Sequence, residues 1–200
     1  MFSKVKTLEA NNPLADLLVK TSHQKVIAFF LARPTGQFYG AEISDKTEIS
    51  IGQISKVLGD LRKAGLVEME RKGRTELYSI VSDNPALRVF KVLNTIISIE
   101  PLVESLRSVS KRVVLYGSCA SGTNIEESDL DLLVVSARKG EVEEIISAFP
   151  ASAYYGFSEI RAVVKTPAEW AALEDKDPVF YNEIIKGIAL YEKEIDESRL

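Results

Sequence analysis

Asp129 and Asp131 stand two residues apart at the head of an apolar run, Leu132-Leu133-Val134-Val135, and they follow Gly117-Ser118 by one short intervening segment. Side chains at i and i+2 of a strand share a face, so the two carboxylates point the same way. Two such groups repel unless a cation lies between them, and an all-oxygen site suits magnesium or manganese far better than zinc. Gly117 lets backbone approach a ligand with no Cβ in the way, and Ser118 offers a hydroxyl and a main-chain N–H to phosphate oxygens. The combination predicts a site for a nucleoside triphosphate, as substrate or ligand, and for Mg2+ or Mn2+.

The elements that must position these groups are two buried strands. Val113-Val114-Leu115 stops at Gly117, and Leu130, Leu132, Leu133, Val134 and Val135 form the second apolar run. Gly117-Ser118, a spacer of about ten residues and Asp129-Leu130-Asp131-Leu132 together resemble the signature of the DNA polymerase β-type nucleotidyltransferases, above all their minimal, single-sheet members. The resemblance covers about residues 97 to 193. It implies that the Gly-Ser turn holds the β- and γ-phosphates, that Asp129 and Asp131 hold metal ions, and that a third carboxylate from a later strand helps activate an acceptor. An in-line attack on the α-phosphorus then transfers a nucleoside monophosphate and releases pyrophosphate. Glu159, at the head of the strand candidate Ile160-Arg161-Ala162-Val163-Val164, is the candidate third carboxylate, with Arg161 and Val163 on its face. Antitoxin-type relatives tend to carry Arg two residues beyond the Cys119 position, where this chain has Ser121. By the same resemblance a partner protein is a candidate for the otherwise unidentified acceptor.

The front of the chain follows another pattern. Residues 24 to 32 form an apolar helix stopped by Pro34 and Gly36, and Ala41 to Asp45 fits a second. Ser50-Ile51-Gly52-Gln53 reads as a capping box opening a third, in which Ile51, Ile54, Val57, Leu58 and Leu61 recur at helical spacing up to Gly65. Leu66 to Glu70 and Glu76 to Ile80 alternate like paired strands around Arg71-Lys72-Gly73-Arg74. This order resembles a winged helix-turn-helix, which implies that the third helix enters the major groove of DNA and the wing touches the backbone. The exposed face of that helix offers Ser50, Gln53, Lys56 and Lys63 to bases or phosphates, and Arg71, Lys72 and Arg74 offer charge to phosphates. Residues 1–83 carry 12 Lys and Arg against 10 Asp and Glu, whereas residues 84–200 carry 13 against 19. So weak a positive balance points to a homodimer covering two half-sites rather than to one module acting alone.

The chain is thus expected to be α+β with two domains, a winged helix over 1–83 and a nucleotidyltransferase-like mixed sheet flanked by helices over 111–200, joined by apolar linker helices over 84–110. In the joint, Leu87, Phe90, Val92, Leu93, Ile96, Ile97 and Ile99 run to Glu100-Pro101, and Leu102 to Ser110 reads as a further helix. So apolar a segment must be buried against a domain or a second subunit. Helices are expected over Glu141 to Phe149, from Thr166-Pro167-Ala168-Glu169, and over Val179 to Lys186, with a last strand at Ile188 to Tyr191. The single cysteine, Cys119, excludes an internal disulfide and a cysteine zinc site, and fits packing better than reactivity. His23, the one histidine, is placed just before the first helix. No apolar run approaches membrane-spanning length and Met1 to Asn12 is too polar for a signal peptide, so a cytoplasmic location without membrane partners is expected. A DNA-binding nucleotidyltransferase and a non-catalytic transcription regulator that senses nucleotide both fit this sequence.

Overall fold

The computed structural model describes residue 18, residues 21–150 and residues 157–193; the polar segment Met1 to Asn12 lies outside them. Helix α1 (Ser22–Leu31) starts where the Thr21 hydroxyl accepts the Gln24 N–H at 3.2 Å and the Gln24 side chain accepts the Thr21 N–H at 3.1 Å. This reciprocal cap sets the helix start ahead of His23, which therefore lies inside α1 with Nε2 3.1 Å from Asp60 Oδ2. The two-residue strand β1 (Phe38–Tyr39) leads into α2 (Gly40–Thr47) and α3 (Ile51–Lys63). The Ser50 hydroxyl caps α3 by accepting the Gln53 N–H at 3.4 Å. Ile54, Val57, Leu58 and Leu61 are buried on its inner face, whereas Ile51, expected among them, is exposed. Gly65, at φ 69°, ends the helix in the left-handed conformation that glycine adopts without strain.

Strands β2 (Val67–Lys72) and β3 (Thr75–Ile80) then form a hairpin closed by Gly73 and Arg74, and β1 pairs with the far edge of β3 in the antiparallel order β1-β3-β2. Val26, Phe30, Ile43, Ile54, Val57 and Val67 form the core between the helices and this sheet.

One helix, α4 (Pro85–Arg107), fills the joint, capped by Asn84 Oδ1, which accepts the N–H of Ala86 at 2.9 Å and of Leu87 at 3.4 Å. The sequence predicted a break at Pro101, because proline inside a helix removes one hydrogen bond and crowds the preceding turn, a cost of ~3 kcal/mol. The helix continues because Ile97, Ile99, Leu102, Val103 and Leu106, on both sides of Pro101, are buried. Leu87, near the other end, belongs to the front core. The face is not uniformly apolar as expected: Lys91 and Thr95 are buried, while Val89 and Leu93 are exposed.

The second sheet has the order β6-β5-β4-β7, with β4 (Arg112–Tyr116) antiparallel to both β5 (Leu130–Val135) and β7 (Ile188–Glu192), and β6 (Ile160–Lys165) parallel to β5. Alternation divides its residues between two cores. Val113, Leu115, Leu130, Leu132 and Val134 pack with α4, with α6 (Lys139–Ala148) and with Phe157. Val114, Tyr116, Leu133 and Val135 face α7 (Pro167–Ala171) and α9 (Pro178–Ile185) through Trp170, Phe180 and Ile184. Between these lies α8 (Leu173–Lys176), and the short α5 (Gly117–Ser121) joins β4 toward β5. The predicted Thr166–Glu169 box is present: Thr166 Oγ1 accepts the Glu169 N–H at 3.2 Å, and Glu169 Oε2 accepts the Thr166 N–H at 2.6 Å. The architecture is α+β, and no helix among the described residues is long and apolar enough to cross a membrane.

Candidate functional site

The register of β4 against β5 sets Tyr116 opposite Asp131, and the chain turns at the next residue. Gly117 has φ 69°, and a Cβ built there would lie 2.5 Å from Asp131 Oδ2. Glycine is therefore demanded twice, by the left-handed backbone and by the carboxylate that occupies the side-chain position. The Gly-Ser turn and the second aspartate are in contact. Ser118 follows, half-buried, and the Ser121 hydroxyl donates back to Ser118 O at 3.1 Å, holding α5 closed. Gly122, at φ 70°, ends α5 pressed against the Arg88 carbonyl of α4.

Asp129 and Asp131 share the sheet face that carries Tyr116 and Leu133. Asp129 is held at three points. Its carbonyl accepts Cys119 Sγ–H at 3.4 Å, its Oδ1 accepts the Ser158 hydroxyl at 3.1 Å, and its Oδ2 lies 2.9 Å from Arg161 Nη2. Arg161 is also the β6 partner of Asp131 in the parallel register. Burial pushes the Asp131 carboxyl above the ordinary aspartate range, with Asp129 and Glu183 adding repulsion and Arg161 opposing it. Burial, then Asp131 and Glu183, push the Tyr116 phenol up to about 12. The Cys119 thiol is likewise raised to about 12, chiefly by burial, which makes it a packed and unreactive side chain.

Glu159 immediately precedes β6, where its carbonyl accepts the Leu130 N–H at 2.8 Å. Its carboxylate is largely exposed and lies 4.0 Å from Arg161 Nε, so that it faces the guanidinium. Glu183, by contrast, was not singled out by the sequence. It stands three residues after Phe180, whose ring meets Tyr116 edge-on at 5.6 Å, and this brings the carboxylate within electrostatic reach of Asp131. Its sequence signal is only an acid at helical spacing from an aromatic residue, and nothing in that spacing shows which strand α9 covers.

Among the described residues no group of three or more His, Cys, Asp or Glu side chains is gathered for metal ligation. Asp129 and Asp131 instead offer two carboxylates, a donor set that magnesium accepts when substrate phosphates complete its oxygen shell. These residues fit a divalent ion that arrives with a triphosphate.

In the front half, Gln53, Lys56 and Lys63 are exposed on α3, with Ser50 at its cap, while Arg71 and Lys72 end β2 and Arg74 lies in the hairpin turn. Ser55 and Arg62 are also exposed on α3 and were not picked out from the sequence. Lys72 is shared with Glu70 Oε2 at 3.4 Å and Gln37 Oε1 at 3.1 Å, which partly neutralises it. The basic groups therefore form two patches, one on α3 and one at the hairpin tip.

No curated protein matches this chain. Among solved structures, that of TrmBL2, described as an archaeal chromatin protein with a novel mode of DNA binding, is similar over 87% of this chain and 74% of its own, with 15% identity and a TM-score of 0.30. Residues 96–191, from the second half of α4 into β7, match the family model of the nucleotidyltransferase domain.

Proposed function

We propose that the chain is a DNA-binding protein whose C-terminal domain binds a nucleoside triphosphate with a divalent metal and transfers a nucleoside monophosphate to a partner protein. The observation that supports this most directly is the contact between Gly117 and Asp131, which brings the Gly-Ser turn and one carboxylate of the aspartate pair into one site. Ser118 and the backbone of the turn bind and orient the β- and γ-phosphates. Asp129 and Asp131 would hold Mg2+ or Mn2+, which when bound supplies electrostatic stabilisation of phosphate charge. Glu159 would accept the proton of the attacking hydroxyl in this reading, with Glu183, a carboxylate within electrostatic reach of Asp131, as the alternative. Tyr116, Leu133 and Phe180 exclude water behind the pair. Ser50, Gln53, Lys56, Lys63, Arg71, Lys72 and Arg74 carry the DNA contacts in this reading, doubled in a homodimer.

A second reading rests on Arg161. A cation already paired with Asp129 favours a regulator that binds nucleotide without transferring it. One experiment separates the two. The full chain and its Asp129→Ala/Asp131→Ala variant are incubated with α-labelled triphosphates, Mg2+ or Mn2+, and host lysate as acceptor. Label on a defined macromolecule with the wild type alone supports transfer. Triphosphate binding without transferred label supports the regulator.

A further inference from the structure

Both carboxylate oxygens of Asp129 are engaged by donors of this chain: Oδ1 by the Ser158 hydroxyl at 3.1 Å and Oδ2 by Arg161 Nη2 at 2.9 Å. The parallel pairing of β5 with β6 fixes the origin of that second donor, because Arg161 is the direct partner of Asp131, two residues beyond Asp129. The guanidinium thus lies beside the carboxylates where a metal ion would neutralise them. Its side chain is 64% exposed against 19% for Asp129, so it can leave without disturbing the core. A place to go is at hand, since Glu159 Oε2 already lies 4.0 Å from Arg161 Nε.

We infer that Arg161 is a tethered counter-ion for Asp129, and that the domain takes up a divalent metal only when a polyphosphate draws the guanidinium away. This deepens the nucleotide-and-metal reading and rests on it. Guanidinium forks match phosphate oxygens at least as well as carboxylates, so an incoming triphosphate competes directly with Asp129 for Arg161. The anion that vacates Asp129 also brings oxygens to complete the metal shell. Metal and polyphosphate then bind with positive coupling, each favoured by the other. Arg161 acts here as a specificity-determining residue that disfavours metal alone.

The test measures Mn2+ binding to the full chain by electron paramagnetic resonance, with Mn2+ alone and with inorganic tripolyphosphate. Wild type should bind Mn2+ alone weakly and bind it more tightly when tripolyphosphate is present. Arg161→Gln should bind Mn2+ alone at least ~10-fold more tightly than wild type, because removing a nearby positive charge favours a divalent ion. Arg161→Lys, which keeps the charge, should remain within ~3-fold of wild type. The gain should disappear in Arg161→Gln/Asp129→Asn. Equal Mn2+ affinity of wild type and Arg161→Gln, or a gain that survives loss of Asp129, would overturn the inference while leaving the nucleotide reading in place. No Mn2+ site in any of these proteins, even with tripolyphosphate, would overturn both.

Discussion

Replacing Gly117 with alanine should damage the domain by two separable amounts. The first is conformational: at φ 69° an L-residue is held in the left-handed region, at a cost of ~1–2 kcal/mol. The second is steric. The new Cβ would lie 2.5 Å from Asp131 Oδ2 and 3.3 Å from its Cγ, so the carboxylate must move, and overpacking of this kind costs a further ~1–3 kcal/mol. The total is ~2–5 kcal/mol, a large share of the stability of an ordinary domain. Gly65→Ala provides a reference for the first amount alone, since Gly65 has the same φ of 69° and nothing within 4 Å of its Cβ position. The second amount can be isolated in a double-mutant cycle. In an Asp131→Ala background the nearest remaining side-chain atom is the Cβ of residue 131 at 3.5 Å, an ordinary contact, so Gly117→Ala should lose only the conformational part. Urea unfolding in EDTA, followed by fluorescence and far-ultraviolet circular dichroism, gives the four midpoints. A coupling of ~1–3 kcal/mol between positions 117 and 131 is expected. Zero coupling, or a Gly117→Ala cost no greater than that of Gly65→Ala, would refute the claim that the turn and the carboxylate share one space.

Other perturbations test the rest of the molecule. The Asp131 carboxyl titrates above the ordinary 3.8 in the folded chain, so its ionisation opposes folding: the penalty is absent below the unfolded value and complete above the folded one. Asp131→Asn in EDTA should therefore raise Tm at pH 7, with the gain fading as pH falls toward 3, and an unchanged Tm at pH 7 would count against a carboxylate penalised by burial and by its acidic neighbours. Lys72→Ala/Arg74→Ala should reduce the slope of log affinity for duplex DNA against log salt by ~1–2, with Arg74 contributing more because Lys72 is shared with Glu70; a constant slope would remove the hairpin from the DNA interface. Thr166→Ala should cost ~1 kcal/mol as a lost helix cap. The Glu169 carboxyl, held at about 2 first by the Thr166 backbone N–H, supports the cap above pH 4.5 and loses that role only as pH falls through about 2, so its resonances in the wild type should titrate in that low range.

Local chemistry made much of this legible in advance. Capping residues and glycines marked helix starts and ends at Ser50, Gly65 and Thr166, alternation identified the hairpin, and an apolar run identified the strand that carries Asp131. The turn and the aspartates were visible as a site because both belong to contiguous strand ends. What the chain alone did not disclose depended on pairing between distant segments. Arg161 could be assigned to a strand face, but its bond to Asp129 follows from the parallel register of β5 and β6, which no local pattern specifies. Glu183 has the same difficulty across a helix-sheet contact. The two residues of β1 are too few for any periodicity, and β1 exists because Phe38 and Tyr39 pair with Tyr78 and Leu77. At Pro101 a correct local rule was outweighed by the burial of the residues around it.

The unbroken course of α4 bears on how this protein can be cut into pieces. At 1.5 Å per residue, its 23 residues extend for about 34 Å, and it lends Leu87 to one core and Leu102, Val103 and Leu106 to the other. The stretch matched by the nucleotidyltransferase family begins at residue 96, midway along this rod. A fragment starting there would discard Arg88, whose carbonyl abuts Gly122, and Lys91, whose ammonium donates to the Asn124 carbonyl in the segment between the turn and the aspartates. The boundary of sequence similarity is therefore not a boundary of folding. Anyone dissecting the chain should keep residues 84 to 107 with the half that carries Asp129 and Asp131, and should expect a front half ending at residue 83 to lack one wall of its core.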